Sequence, residues 1–328
     1  MELWIHLNMK NDKVDAVDFP CIVQEQFKAI GTDINIQIVT KDKDASIDAV
    51  KHIQQIKKIY ADFSHVFSRF LRESELSKLN ENIGKFVKAS NHVCEISLRS
   101  LEYNKKTGGL FDPRILSVLE KVGYLDDFET GTRTFIEKED PVFLKKDLSY
   151  DLKVSGETVF FGTKMDFSGI AKGYITDQIV KFLDEKGIKN FLIDSGGDIF
   201  MRGKDECEKL WTVDIEGIDS RKIMFALSDK SIATSGIGKR RWEIDGKRFH
   251  HIIDPKNPEQ FLFDVKSVSV ISDSTTDSDV WAKTLFLLGK ENGIIYANEK
   301  ELAAVFLDYR GSAWISPKAK EYLLSSHI

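Results

Sequence analysis

The stretch from Ser267 to Gly289, SVSVISDSTTDSDVWAKTLFLLG, constrains the fold more than any other part of the chain. Apolar residues alternate along its first positions, as they do in a strand with one buried face. A turn rich in serine, threonine and aspartate follows, and then a helix that carries Asp279. Because a helix start leaves backbone N–H groups free and Asp279 adds a carboxylate, this strand-turn-helix unit suits a metal-bound phosphate.

Composition and charge exclude several classes of protein. The 328 residues are 42% hydrophobic, which is ample for a large core, and their formal net charge is -5. A slightly acidic chain without a basic run has no electrostatic surface for nucleic acid. No apolar run approaches ~18 residues, so we predict no membrane span. The start, MELWIHLNMKNDK, lacks the features of a signal peptide, which favours a cytoplasmic location.

Hydrophobic periodicity indicates a mixture of strands and helices. A helical period predicts long helices at 45–70, 91–106 and 173–186, and a short one near 291–298. Strands are predicted at 33–40, 191–194, 211–215, 223–227, 242–244, 248–251 and 303–309, and 242–244 and 248–251 form a predicted hairpin with its turn at Asp245-Gly246. The region 126–164 is charged and predicts short strands and turns. Strands and helices do not alternate strictly, and no linker is visible. We therefore predict an α+β fold with an N-terminal arm, residues 1–24, and one large domain, residues 25–328.

Three glycine-containing blocks could approach a ligand, but each has a plain structural explanation. The block from Asp166 to Tyr174, DFSGIAKGY, places small residues and Lys172 before a helix, which can form an anion cradle. It lacks the spacing of a Walker loop, and taken alone it is more often a capped helix start with a solvated lysine. The blocks TGGLFDP and DSGGDI are equally typical of turns.

The remaining polar candidates are also ambiguous when each is taken alone. His250 and His251 are neighbours on a predicted strand, so they point to opposite faces and at most one of them faces a given site. Neither has the spacing of a zinc motif, and the three cysteines are far apart. Asp279 and Lys283 lie four residues apart on one helical face, where a surface ion pair is the simplest explanation.

Taken in chain order, these blocks resemble the ApbE family of FAD:protein FMN transferases. The similar motifs are F-S-x-F-x-x-x-S-E-L-S-x-L-N, G-G-x-F-D-P, D-x-x-G-I-A-K-G-Y, S-G-G-D-I, A-T-S-G and H-I-I-D-P, between residue 29 and Gly289. The resemblance implies a single α+β domain with mixed or antiparallel sheets, flanking helices and an extended FAD cleft. It also implies an enzyme that uses Mg²⁺ to split the FAD pyrophosphate and releases AMP. FMN would be attached to a Ser or Thr of a target flavoprotein within a D-x-x-S/T-G-A-S/T segment.

The resemblance also implies roles for individual residues. The flavin and nucleotide contacts carry over onto Ile30, Phe70, Leu110, Phe111, Asp112, Asp166, Lys172 and Ile252. The metal would be held by the backbone carbonyl of Gly169 and the carboxylate of Asp279. The target hydroxyl needs a general base, for which Asp279, or water bound to it, is one candidate and His251 is another.

Lys283 departs from the family's pattern, which has a metal-binding Thr one turn after the Asp. Thr284 is one step away, roughly 100° round the helix. A protonated lysine offers no lone pair and repels a divalent cation. Its ammonium could occupy the metal position and give metal-independent binding with slow or no transfer. Alternatively it could turn away, so that Asp279, Gly169 and water still hold Mg²⁺. The alternatives to a transferase are therefore a non-catalytic FAD- or FMN-binding protein and an FAD pyrophosphatase.

Overall fold

The computed structural model describes residues 20–124, 146–215, 223–238, 240–244 and 246–324. The arm predicted at 1–24 lies outside these residues up to position 19, and residues 21–24 form the beginning of the first strand. Of the region 126–164, the part up to position 145 also lies outside them, as does Asp245 of the predicted hairpin turn. Within the described residues, no helix has the length and apolar character that crossing a membrane requires.

An eight-stranded antiparallel sheet forms the centre of the domain. With strands numbered along the chain, its order is β1 (Cys21–Ala29), β2 (Thr32–Thr40), β6 (Phe191–Ser195), β7 (Ile199–Arg202), β10 (Lys230–Gly236), β13 (Ser267–Ser272), β14 (Ala303–Leu307) and β15 (Ala313–Ile315). All neighbouring pairs are antiparallel. The strands predicted at 33–40, 191–194 and 303–309 correspond to β2, β6 and β14.

Three small antiparallel sheets lie around the central one. They are formed by β3 (Phe86–Lys88), β5 (Thr158–Phe161) and β4 (Leu152–Ser155), by β8 (Trp211–Asp214) with β9 (Met224–Leu227), and by β11 (Arg241–Ile244) with β12 (Lys247–His250). The last pair is the predicted hairpin. Its turn contains Gly246 at a φ of 74°, a conformation that glycine adopts without strain.

Seven helices occur in the described part of the chain: α1 (Lys43–Phe67), α2 (Glu75–Glu81), α3 (Asn91–Lys106), α4 (Leu116–Lys121), α5 (Ala171–Glu185), α6 (Thr275–Glu299) and α7 (Pro317–Lys320). Asp42, Ser74, Ser90 and Ser274 precede α1, α2, α3 and α6, and each accepts a hydrogen bond from a backbone N–H of the first turn. These caps satisfy donors that a helix start leaves open, and so the short polar residues fix where each helix begins.

Helix α6 consists of two segments joined at Gly289. This glycine has φ 72° and ψ 179°, which no helix interior contains. The backbone N–H of Lys290 donates to Asp264 Oδ2 at 2.8 Å, and a Cβ at position 289 would come within 2.9 Å of the same oxygen. The break confirms the prediction of a helix that ends near Gly289 and a second one over 291–298.

The hydrophobic core occupies both faces of the central sheet. The largest cluster packs α1, α3 and α5 against β2, β6 and β7. A second cluster packs α6 against β13 and β14, and the β8–β9 pair covers part of the opposite face. Helices and antiparallel strands thus form one domain, and the predicted α+β fold is confirmed.

Candidate functional site

The site forms where the N-terminal ends of α5 and α6 meet. Gly173, in the first turn of α5, lies against the start of α6, where a Cβ would come within 2.6 Å of the Thr275 carbonyl oxygen. One turn later, Asp177 Oδ1 accepts from Thr275 N at 2.7 Å and Asp177 Oδ2 accepts from Thr276 N at 3.0 Å. A glycine and a capping carboxylate therefore bring the loop before α5 next to the face of α6 that carries Asp279.

Lys283 lies between two oxygen groups that the resemblance gives to a metal. Its Nζ donates to the Gly169 carbonyl oxygen at 2.7 Å and lies 3.7 Å from Asp279 Oδ1. A Cβ at position 169 would come within 2.6 Å of this Nζ and 3.5 Å of Phe111 Cε2, so only glycine leaves room for the ammonium. The ammonium therefore contacts the two groups to which the resemblance assigns the metal, and the choice between the two options for Lys283 stays a prediction.

The two oxygens of the Asp279 carboxylate differ, because only Oδ1 lies in the ion pair with Lys283. Its Oδ2 is buried and has no hydrogen-bond partner among the described residues. Leaving a buried acceptor unsatisfied costs about 1–3 kcal/mol, more when it is charged, so such an atom in a native site points to a ligand or a transferred proton.

The residues around Lys283 do not fit a Mg²⁺ ion in the arrangement found here. Mg²⁺ requires oxygen ligands in octahedral geometry, whereas the Gly169 carbonyl already accepts from the ammonium. The described residues contain no group of three or more His, Cys, Asp or Glu that could hold a metal. Lys283, which stands at the position of the family's metal-binding Thr, cannot replace that ligand because a protonated lysine nitrogen has no lone pair.

A second ammonium, that of Lys172, lies in the same cluster. Its Nζ donates to Asp198 Oδ2, and Asp198 is only 1% exposed. Burial alone would lower the pKa of Lys172, but the charges of Asp198 and Asp279 outweigh it and raise this pKa. Burial also raises the pKa of Asp198 to about 7, with Asp279 adding to the effect and Lys172 opposing it. Lys172 therefore stays charged beside two buried carboxyl groups.

The two histidines point to different surroundings, as predicted. His251 Nδ1 lies 3.2 Å from the Arg240 carbonyl oxygen. Burial, with the charges of Arg240 and Lys283, lowers the pKa of His251 well below its usual range, so it is neutral and a weak base. His250 Nε2 lies 3.0 Å from the Leu262 carbonyl oxygen, and burial lowers the pKa of His250 to about 4. Of the pair, His251 is the one whose pKa the charge of Lys283 lowers.

A second group of predicted residues surrounds Arg69. The guanidinium carbon of Arg69 lies 4.2 Å from the centre of the Phe70 ring and 4.6 Å from that of Tyr124. Its Nε is 3.3 Å from Asp166 Oδ2, an ion pair that lacks hydrogen-bond geometry, since Asp166 Oδ2 and Arg69 Nη2 are both unpartnered among the described residues. Phe70 is 40% exposed, so its ring is available for stacking.

Asp112 has a different environment from the other predicted contacts. Its Oδ1 accepts from the backbone N–H and Nε of Arg114, and its Oδ2 accepts from Arg114 Nη2 at 2.7 Å. Asn104 Nδ2 is a further donor, 3.4 Å from Oδ2. Because this carboxylate is saturated by the protein itself, a nucleotide contact at Asp112 stays a prediction from the resemblance.

The apolar residues of the predicted set lie at buried or turn positions around these groups. Leu110 and Ile252 share the hydrophobic cluster of α6, whereas Phe111 contacts the largest cluster beside Gly169. Ile30 has a φ of 47°, in the β1–β2 turn, and the next residue, Gly31, accepts a hydrogen bond from Arg240 Nη2 at 3.3 Å. Their predicted flavin and nucleotide contacts stay predictions.

Four charged residues of the site were not singled out by the sequence. Asp198 was present in the S-G-G-D-I block but received no role of its own. Arg69 occupies a position that the F-S-x-F pattern leaves open, and neither Arg240 nor Asp177 belongs to a motif. Asp198 could have been found from the sequence because its carboxylate follows two glycines. The local sequence around the other three residues does not indicate a role.

Comparisons with known proteins agree with this architecture. The sequence model of the ApbE family matches residues 30–306. Relatives named FAD:protein FMN transferase include those of Treponema pallidum, 28% identical over 82% of this chain and 80% of the relative, and of Escherichia coli K12, 26% identical over 85% and 84%.

Solved structures give the same result for the fold. The ApbE protein of Thermotoga maritima has a TM-score of 0.80 at 22% identity and covers 93% of this chain and 100% of its own. The flavinyl transferase ApbE of Pseudomonas stutzeri, in its apo form, has a TM-score of 0.79 at 18% identity, over 93% and 98%. At these identities the likeness establishes the shared fold.

Proposed function

This chain belongs to the ApbE family, and we propose that it is a transferase that moves FMN from FAD to a Ser or Thr hydroxyl of a target flavoprotein and releases AMP. Its relatives named FAD:protein FMN transferase, aligned over most of both chains, support this activity. The proposed target carries a D-x-x-S/T-G-A-S/T segment. The cytoplasmic location stays a prediction from the sequence.

The observation that carries the proposal is the charged cluster at the starts of α5 and α6. Two ammonium groups, of Lys172 and Lys283, lie there beside Asp279, one of whose carboxylate oxygens has no partner in the part of the chain that the structure describes. Phosphoryl transfer depends mainly on positioning and on neutralising charge at the phosphate oxygens, and fixed ammonium groups do both. A pyrophosphate is the part of FAD whose charge matches this cluster.

The chemistry requires one bond to form and one to break at the FMN phosphorus. The target hydroxyl oxygen attacks this phosphorus, the bond to the bridging oxygen breaks, and the bridging oxygen leaves on AMP. The hydroxyl proton passes to a base. Asp279 Oδ2 is the better candidate because this acceptor has no partner within the described ranges, whereas the lowered pKa of His251 makes it a weak base.

Other residues of the predicted set are proposed to hold the two ends of FAD. The exposed Phe70 ring offers a stacking surface, and Arg69 and Asp166 behind it hold that ring in place. Leu110, Phe111 and Ile252 supply apolar surface, and Ile30 lies at the β1–β2 turn. Mg²⁺ stays a prediction from the resemblance, and no step of this mechanism is derived through it.

One alternative is favoured by a specific observation. The Lys283 ammonium in the cation position provides one positive charge where a divalent ion provides two, and this favours a protein that binds FAD without transferring FMN. An FAD pyrophosphatase is the third possibility, since water can replace the target hydroxyl in the same reaction.

One assay separates the three functions. The protein is incubated with FAD and a target peptide that contains D-x-x-T-G-A-T, with and without Mg²⁺, and the peptide mass and AMP are measured. An FMN mass increment with equal AMP identifies the transferase, and AMP without the increment identifies the pyrophosphatase. FAD binding without either product identifies the binding protein. A failure to bind FAD in any condition would overturn the proposal.

A further inference from the structure

We propose that Lys283 supplies, as a permanent part of the chain, the positive charge that faces the ligand's pyrophosphate, so that dinucleotide binding at this site does not depend on a divalent cation. The inference rests on the proposed function for the identity of the ligand, FAD. It goes beyond that function by replacing a diffusible metal with a covalently held ammonium group.

The position of the ammonium is determined by two oxygen groups on different elements. Lys283 Nζ donates to the Gly169 carbonyl oxygen at 2.7 Å, on the loop before α5, and lies 3.7 Å from Asp279 Oδ1, one turn earlier on α6. An ammonium has three N–H donors, so a donor remains for an anionic oxygen of a ligand. The side chain is thus positioned at the helix tips rather than directed into solvent.

The charges of the cluster make a divalent ion and this ammonium alternatives to each other. The charges of Arg240, Lys172 and Lys283 act on groups in the cluster. These three cations face only two carboxyl groups, those of Asp198 and Asp279, so the positive charge of the cluster already exceeds its negative charge before any ligand binds. A divalent ion at the same oxygens would add two charges beside an existing ammonium, where like charges repel strongly in a buried site.

The absence of a side chain at Gly169 leaves space for the Lys283 ammonium. A Cβ there would come within 2.6 Å of Lys283 Nζ but would meet no backbone atom at that distance. The only group that an alanine would displace at close range is therefore the flexible end of Lys283. This makes position 169 a way to move the ammonium without disturbing the helix.

The first experiment measures FAD affinity by quenching of flavin fluorescence, in EDTA and in excess MgCl₂. We expect the unaltered protein to bind with affinities that agree within about twofold in the two buffers. Lys283→Thr should bind at least about tenfold more weakly in EDTA and recover in MgCl₂, because a single charge–charge contact of this kind is worth at least a factor of ten. Lys283→Met, which offers neither charge nor oxygen, should bind weakly in both.

A matched control lies on the same helix. Lys290 Nζ is 3.3 Å from Asp308 Oδ2, beyond the break at Gly289, so Lys290→Thr makes the same chemical change away from the cluster. It should bind FAD as the unaltered protein does in both buffers. Thermal unfolding of all variants checks that the comparison is made between folded proteins.

The outcomes distinguish this inference from the proposed function. If the unaltered protein binds FAD only when MgCl₂ is present, the inference is overturned while the proposed function stands. If Lys283→Thr keeps full affinity in EDTA, the inference is likewise overturned. If the unaltered protein binds no FAD in either buffer, both are overturned.

Gly169→Ala gives a second, independent test. In the unaltered background it should weaken FAD binding in EDTA, because the new Cβ displaces the ammonium. In the Lys283→Thr background it should have little further effect, so the two changes should be strongly non-additive. Additive losses would contradict the proposed contact between Gly169 and Lys283.

Discussion

Two buried charged clusters in this protein differ in how completely their polar atoms are paired. In the first, the arginine cluster, Arg114 is 1% exposed and donates to Asp112, Asp151 and the Lys146 carbonyl oxygen. In the second, the lysine cluster, Lys172 and Lys283 lie beside Asp198 and Asp279, and Asp279 Oδ2 has no partner among the described residues.

The difference separates a structural role from a binding role. Buried charges that are fully paired hold segments together, whereas an incompletely paired cluster retains electrostatic potential for a ligand. The arginine cluster joins the loop after α3 to the β4 region. The lysine cluster lies at the starts of α5 and α6. Because Asp177 and Ser274 already accept from the first N–H groups of α6, the two ammonium groups are the donors that this cluster offers to an anion.

Loss of the arginine should have the largest effect on stability. Arg114→Met leaves the buried Asp112 and the partly buried Asp151 carboxylate without their main partner, and we expect the free energy of unfolding to fall by about 3–5 kcal/mol. Urea denaturation measures this. Arg202→Met is the matched control, because Arg202 pairs with Asp184 and Asp229 at the surface and should cost less than about 1 kcal/mol. Equal losses in the two variants would contradict the distinction drawn between the clusters.

His250 tests a second effect of burial on a titratable group, which is that burial favours the neutral form. Its folded-state pKa is about 4, below the ordinary value of 6.5, because of burial. Between these values the unfolded chain binds a proton that the folded protein does not, so stability is present above pH 6.5 and falls with decreasing pH. The difference between the two pKa values corresponds to a loss of about 3 kcal/mol in the free energy of unfolding at pH 4.

His250→Phe should flatten this part of the stability–pH curve, because a phenylalanine ring does not bind a proton. The ring should fit at this position, since His250 already packs against Phe261, Phe263 and Phe286. His65→Gln, at an exposed position in the last turn of α1, should leave the curve unchanged. Denaturation at several pH values between 4 and 7 gives the slopes. An unaltered slope in His250→Phe would show that other groups determine this pH dependence.

A substitution of Asp279 tests the functional role assigned to the lysine cluster. Asp279→Asn should lower AMP release by about 100-fold, or about 2.7 kcal/mol, because it removes the proposed base. Its free energy of unfolding should change by less than about 1 kcal/mol, since the lost charge was incompletely paired. Asp277→Asn, in the first turn of the same helix, is the control and should keep its turnover. A normal rate in Asp279→Asn would exclude Asp279 as the base.

The smallest effect is expected at Arg69, whose pairing lies between those of the two clusters. Arg69→Lys keeps the charge near Asp166 but loses the planar group between Phe70 and Tyr124. We expect FAD affinity to fall about fivefold, or about 1 kcal/mol. Arg72→Lys, three residues later and exposed, should have no effect on a fluorescence titration. Equal affinities in both variants would place Phe70 away from the ligand.

Much of the fold could be predicted from local patterns. The helix predicted at 91–106 has the bounds of α3, and the β11–β12 hairpin lies where alternation and a glycine turn predicted it. The helix predicted at 45–70 ends earlier, at Phe67, because Ser68 is already extended. The order of the central sheet could not be predicted, since β2 pairs with β6 across about 150 residues and one sequence carries no record of such pairing.

The candidate site divides in the same way. The meeting of Gly169, Asp279 and Lys283 was anticipated because the motifs of a known family carry these positions. The roles of Asp198 and Asp177 were not, since each depends on a partner far along the chain. The saturation of Asp112 by Arg114 depends on side-chain geometry, which residue order does not determine.

The break at Gly289 gives α6 two independent axes. The inner segment, which carries Asp279 and Lys283, takes its orientation from Asp177 at its start and from the sheet below it. The outer segment begins at a separate anchor, Asp264. Ile295, 56% exposed on this separately anchored segment, therefore offers a place to attach a label without moving the two charged side chains.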